Sequence, residues 1–211
     1  MKGLLIKDLY TFVSYGKMLI ILALIFMFIG TSEEQSFMML FPILYAAMIS
    51  MNTLAYDERG HWEAYADSLP VTRKDVVVSK YLLPVFAIII MTVMYGVLSI
   101  LLWVAQGASA DSTLSPGSIF NRMLEMFSAG MFFTAVMYPL VFKLGVEKGR
   151  MAYIVLLAAV AGGIGAAAFT DISTYEIMVK LSDTLLMAGI SILVLLASVA
   201  MSVRFYTKRE L

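Results

Sequence analysis

Residues Asp57 to Lys80 read DERGHWEAYADSLPVTRKDVVVSK, and Tyr81 to Ala105 read YLLPVFAIIIMTVMYGVLSILLWVA. The first stretch mixes charges of both signs with aromatic residues. The second carries no charge and exceeds the roughly 20 apolar residues that a helix needs to cross the hydrocarbon core of a bilayer. A water-facing segment thus runs directly into a membrane span, and that junction decides the fold.

The rest of the chain repeats the apolar half of this pattern. Of its 211 residues, 61% are apolar and 14% charged, with a mean hydropathy of +0.89. That is far above an ordinary soluble domain. Six apolar runs are predicted as spans: Met18–Gly30, Phe37–Tyr56, Tyr81–Ala105, Asn121–Phe142, Tyr153–Phe169 and Leu181–Val203. Ahead of the first, Leu4, Leu5, Leu9, Phe12 and Val13 approximate one helical face, with Lys2, Lys7 and Asp8 elsewhere. That arrangement predicts an interfacial helix over residues 1–16; a plain extension of the first span is the other reading. The expected fold is an all-α integral membrane protein, a single transmembrane domain over residues 1–211. Six transmembrane helices are preceded by an N-terminal interfacial elbow helix.

Charge sets the orientation. Of the 15 lysines and arginines, only Arg122 and Lys180 fall in or beside the loops that carry Glu33, Glu34, Asp111, Asp171 and Glu176. The others cluster before span one, between spans two and three, between spans four and five, and in the tail. The positive-inside rule then places both termini in the cytoplasm of a multi-pass protein of the cell membrane, most naturally a bacterial plasma membrane. The N-terminal stretch has charges within its apolar part and no small-residue cleavage pattern, so a cleaved signal peptide is not expected.

Several chemistries are excluded by composition. There is no cysteine, and His61 is the single histidine, so neither thiolate nor His-rich metal sites are expected. Net charge is zero, which leaves no basic footprint for nucleic acid. No GxxxxGK[ST] phosphate-binding loop occurs; Gly162, Gly163 and Gly165 lie in an apolar run without a following lysine. Glu33 and Glu34 lie in an outer loop without a membrane-embedded histidine, which argues against an intramembrane protease. The chain is expected to catalyse nothing and to bind no cofactor.

Within 57–80, the residues through Ser68 continue from span two with Gly60 as the only breaker, and Leu69-Pro70 stops the helix. Thr72 opens a second helix, with Asp75 three residues on as in a capping box. The prediction is a helix–turn–helix elbow in the cytoplasm. Asp57, Glu58, Arg59, His61, Trp62, Glu63 and Tyr65 supply the charge and aromatic mixture suited to a protein groove. The alternative is a solvated connector with its aromatics at headgroup level.

The opening MKGLLIKDLY, the segment DERGHWEAYADSLPVTRKDVVVSKYL and the six spans together resemble the compact ABC-2 type transporter permeases, with a type V exporter-like architecture. The resemblance implies that residues 1–16 form the elbow helix. It also implies that 57–80 carries the coupling helix, with Asp57 to Tyr65 meeting a separate ABC ATPase. Two copies of this chain would form a homodimer around a pathway and bind two ATPase subunits, on which ATP and Mg²⁺ sit. The pattern is similar to exporters of amphipathic peptides such as toxin or lantibiotic systems, which suggests peptide cargo. Two readings without an ATPase stay open: a membrane immunity protein, and a secondary transporter for small hydrophobic compounds.

Polar groups inside the spans are few. Arg122 and Glu125 share a face of span four and are expected either to neutralise each other or to mark the outer mouth of a pathway. Asn52 suits helix–helix contact, Asp183 opens span six, and Pro139 beside Tyr138 is expected to kink span four. Ala158/Gly162 and Ala161/Gly165 offer close helix approach on span five. The 17 methionines, Met38, Met39, Met123, Met126 and Met131 among them, suit either varied apolar cargo or ordinary packing.

Overall fold

The computed structural model describes residues 2–29, 40–60, 62–66, 72–105, 115–155, 158 and 184–208. Among these residues every regular element is helical. In chain order they are α1 (Lys2–Ile29), α2 (Leu40–Arg59), α3 (Trp62–Ala66), α4 (Arg73–Ala105), α5 (Pro116–Leu144), α6 (residues 146–155) and α7 (Thr184–Lys208).

Local chemistry sets several of these limits. Thr72 and Asp75 form the expected reciprocal cap: the Thr72 N–H donates to Asp75 Oδ2 at 3.1 Å, and the Asp75 N–H donates to Thr72 Oγ1 at 3.2 Å. Helix α5 starts behind Ser115, whose Oγ accepts from the Ser118 N–H at 3.3 Å, with Pro116 in the first turn. It ends at Gly145, whose φ of 83° lies in the left-handed region open to glycine, and whose N–H returns to the Val141 carbonyl at 2.9 Å. The chain then turns at once into α6. A Cβ on Gly149 would stand 2.8 Å from Val141 Cα, so α6 lies close against the end of α5.

Three helices among the described residues are long and apolar enough to cross a membrane: α4, α5 and Thr184–Thr207 of α7. At about 1.5 Å of rise per residue, the 33 residues of α4 exceed a hydrocarbon core of about 30 Å. Its first turns therefore extend past that core. The fifth predicted span lies outside the described residues beyond 155, apart from residue 158, as do Asp183, Gly162, Gly163, Gly165, Met38 and Met39.

Helices α5 and α7 form the most extensive pair, and α4 packs against α1, α2, α5 and α7. The buried face of α7 is narrow and small: Ala188, Ser191, Leu195, Ser198, Ser202 and Tyr206 recur every three or four residues. Small residues of this kind let helix backbones approach where no water drives association. Its other faces expose Leu185, Leu186, Ile190, Leu193 and Leu196. Apolar side chains on the outside of a packed bundle suit a lipid solvent.

Helix α1 departs from expectation. It is continuous from Lys2 to Ile29, with no break between residues 1–16 and the first apolar run. One internal glycine costs a helix about 1 kcal/mol, too little to end it at Gly16 when both halves are anchored. Leu4 and Asp8 are buried near one end, Ala23 and Met27 near the other, on faces about 100° apart. Leu9 and Val13 are exposed, as apolar side chains that meet lipid would be.

Candidate functional site

The start of α1, the end of α2, the start of α4 and the ends of α5 and α7 converge at one end of the bundle, and α3 caps that end. Leu4, Leu54, Ala66, Val76, Tyr81, Phe142, Val146 and Tyr206 are buried together there. Tilted and edge-on ring contacts support the cluster, with Tyr81 4.6 Å from Tyr138 and Phe142 5.7 Å from Tyr206 between centroids. The Tyr81 hydroxyl lies 2.7 Å from both Ser198 Oγ and Ser202 Oγ, and Ser198 Oγ donates to the Ala135 carbonyl at 2.6 Å. One tyrosine of α4 thus ties α7 and α5 together.

The helix expected to run on from span two through Ser68 is interrupted. Helix α2 ends at Arg59, Gly60 turns with its N–H on the Tyr56 carbonyl at 2.9 Å, and α3 resumes at Trp62. A Cβ on Gly60 would meet that carbonyl at 3.2 Å. The charges assigned to partner contact then divide. Asp57 turns inward: its Oδ1 lies 2.5 Å from Lys7 Nζ and its Oδ2 2.5 Å from Lys80 Nζ. Glu58 reaches the next connection, where its Oε2 accepts from the Val146 N–H at 2.9 Å. That carboxylate meets the first free N–H of α6, where an anion is favoured by the helix dipole. Arg59 is exposed.

Trp62 also faces inward. It is half-buried against the core, with Lys7 Nζ 3.9 Å above its ring, a cation–π contact from α1. Tyr65, 5.2 Å from Trp62 between ring centroids, is 57% exposed. His61 and the side chain of Glu63 lie outside the described residues.

Asn52 joins helices as expected: its Oδ1 accepts from Arg150 Nη2 at 3.4 Å, linking α2 to α6. Asn52 and Glu58 thus attach α2 to α6 and its first turn. The expected neutralising pair on α5 does not form. Glu125 is exposed, Arg122 is half-buried with Nη1 enclosed and unpartnered, and no ion pair joins them among the described residues. Their order along the helix, cation before anion, is the less favourable one. Deeper in the bundle the hydroxyls of Thr92, Tyr95 and Ser99, on one face of α4, are buried without hydrogen-bond partners among the described residues.

A family model described as ABC-2 family transporter protein matches residues 3–207. The chain belongs to the ABC-2 transporter family. Comparison with curated proteins and with solved structures returns no match. As an ABC-2 protein it is a membrane permease component, of the kind that generally works with an ABC ATPase.

The sequence did not point to the inward set of this ABC-2 permease, which is Lys7, Asp8, Lys80 and Tyr81. Each sits where an apolar run meets a charged segment, but nothing in their spacing pairs residue 8 with residue 80.

Proposed function

We propose that the chain is the membrane subunit of an ATP-driven exporter and that α3, with the exposed end of α2, is the element that docks on a separate ATPase. The observation that carries this reading is the division of the 57–66 segment into a fixed side and an exposed side. Asp57, Glu58 and Trp62 anchor the segment to α1, α4 and α6. Arg59 and Tyr65 are exposed. A docking element needs both sides, one to meet the partner and one to pass the displacement on. Nucleotide and Mg²⁺ belong to the ATPase in this reading, and none is assigned to this chain.

Two copies of the chain with two ATPases complete the assembly, with six spans per chain and both termini in the cytoplasm. Amphipathic peptides are the proposed cargo. The exposed apolar surfaces of α4 and α7 support a membrane setting, and the resemblance of the 56–82 stretch supports the coupling role.

The test is recovery from native membranes in mild detergent. A Walker-motif ATPase is expected to co-purify with the wild-type chain. Arg59→Glu/Tyr65→Ala should lose it while remaining inserted and monodisperse. Undiminished ATPase recovery with this variant overturns the docking assignment.

A further inference from the structure

Four charges meet where α1, α2 and α4 converge. Lys80 Nζ lies 2.7 Å from Asp8 Oδ1 and 2.5 Å from Asp57 Oδ2. Lys7 Nζ lies 2.5 Å from Asp57 Oδ1 and 3.5 Å from Asp8 Oδ1. Each lysine therefore reaches both aspartates, and the set is neutral. Burial is graded across it: the side chains of Asp8 and Lys80 are 1% and 3% exposed, that of Asp57 13% and that of Lys7 29%. Asp8 and Lys80 are locked between α1 and α4. Asp57 and Lys7 sit at the rim, beside α3, where Lys7 also covers the Trp62 ring.

Buried ion sets are a poor way merely to hold helices together, since desolvation offsets much of their attraction and packed apolar residues serve as well. They differ from apolar contacts in what separation does. If α2 withdrew Asp57, two lysines would be left sharing the single carboxylate of Asp8, one of them fully enclosed. Stranding a buried charge is strongly disfavoured. Helices α1 and α4 are thereby tied to any movement of α2. Adjacent residues of α1 divide the task, Lys7 reaching α2 and α3 while Asp8 holds α4.

We infer that Lys7, Asp8, Asp57 and Lys80 form an electrostatic joint that makes α1 and α4 follow the α2–α3 elbow when an ATPase displaces it. The inference rests on the docking role proposed above. All four are positioning residues, acting through the helices they connect.

The absence of cysteine from the chain makes the joint directly measurable. Spin labels go on the exposed positions Tyr10→Cys of α1, Tyr56→Cys of α2 and Thr207→Cys of α7. Distances 10–207 and 56–207 are then read in nanodiscs holding the complex with its ATPase, with and without ATP and vanadate. In the otherwise wild-type complex both distances should shift together. Lys7→Gln/Asp57→Asn removes one charge of each sign and leaves the Asp8–Lys80 pair intact. It should keep the 56–207 shift and lose the 10–207 shift, while Asp57→Glu retains both. Should the double variant not fold, Asp57→Asn alone, which removes the one carboxylate that α2 brings to the set, gives the same reading. A 10–207 shift that survives the substitutions overturns the joint, as does a bound ATPase whose nucleotide moves neither label pair. Failure of any ATPase to bind the wild-type chain is a different result: it removes the docking reading, and the joint with it.

Discussion

Asp57, Glu58 and Arg59 are neighbours with three different fates. Successive residues on a helix diverge by about 100°, so three in a row cannot share a surface. Sequence identifies them as charged residues leaving a span. Which one faces inward depends on where α1 and α6 pack, and those helices come from distant parts of the chain. The cost of a mistake at this scale is steep for the enclosed members. Asp8→Asn leaves Lys80 short of a partner in the interior, and breaking a buried pair typically costs about 3–5 kcal/mol. Asp8→Leu/Lys80→Met removes both charges and should melt closer to wild type than the single variant does. Thermal melting of the three proteins in one detergent checks this, and a double variant less stable than Asp8→Asn would refute it.

Among the elements, those set by local chemistry were legible. The Thr72–Asp75 cap fixes the start of α4 in sequence and structure alike, whereas the turn at Gly60 falls inside a stretch expected to stay helical through Ser68, and the expected stop at Leu69-Pro70 lies outside the described residues. For α1 the sequence left two readings open, a separate elbow helix and an extension of the first span, because the choice depends on tertiary packing at both ends. Two glycines separate the kinds of contact that sequence cannot grade. At Gly149 an added methyl would meet the backbone of Val141 at 2.8 Å, whereas at Gly96 it would meet Met123 Sδ at 2.6 Å. A backbone cannot step aside, but a thioether with several rotatable bonds can. Gly149→Ala is therefore expected to lower the melting temperature clearly and Gly96→Ala only slightly. Equal losses would contradict the close approach of α6 to α5.

At the scale of the whole molecule the bundle is apolar on the outside and joined by charge and hydroxyl contacts at one end. Hydropathy alone made the membrane class legible. Which apolar faces meet lipid and which meet other helices was not legible, because both look the same in composition. Small residues mark the buried stripe of α7 only once the partner helix is known. The proposed orientation, with both termini in the cytoplasm, rests on the distribution of lysine and arginine. Single cysteines at Lys74→Cys and Thr207→Cys, both exposed at the elbow end, should react with a membrane-impermeant maleimide in inside-out vesicles and stay unlabelled in intact cells. Labelling in intact cells would reverse the assigned orientation.

The neutral four-charge cluster also has a history in the life of the chain. During insertion, lysines near the ends of spans help decide which side stays in the cytoplasm, while acidic residues contribute little. In the proposed orientation Lys7 and Lys80 count fully at that stage, as free cations on a nascent chain. Once the helices close, Asp8 and Asp57 cancel them, and the field that helped orient the protein disappears into its interior. The cluster cannot close until residue 80 has been synthesised, so α1 waits for the start of α4 before its buried aspartate is matched. The same side chains act first as a topological signal and later as internal fastening, and they are spent on the first before they are available for the second.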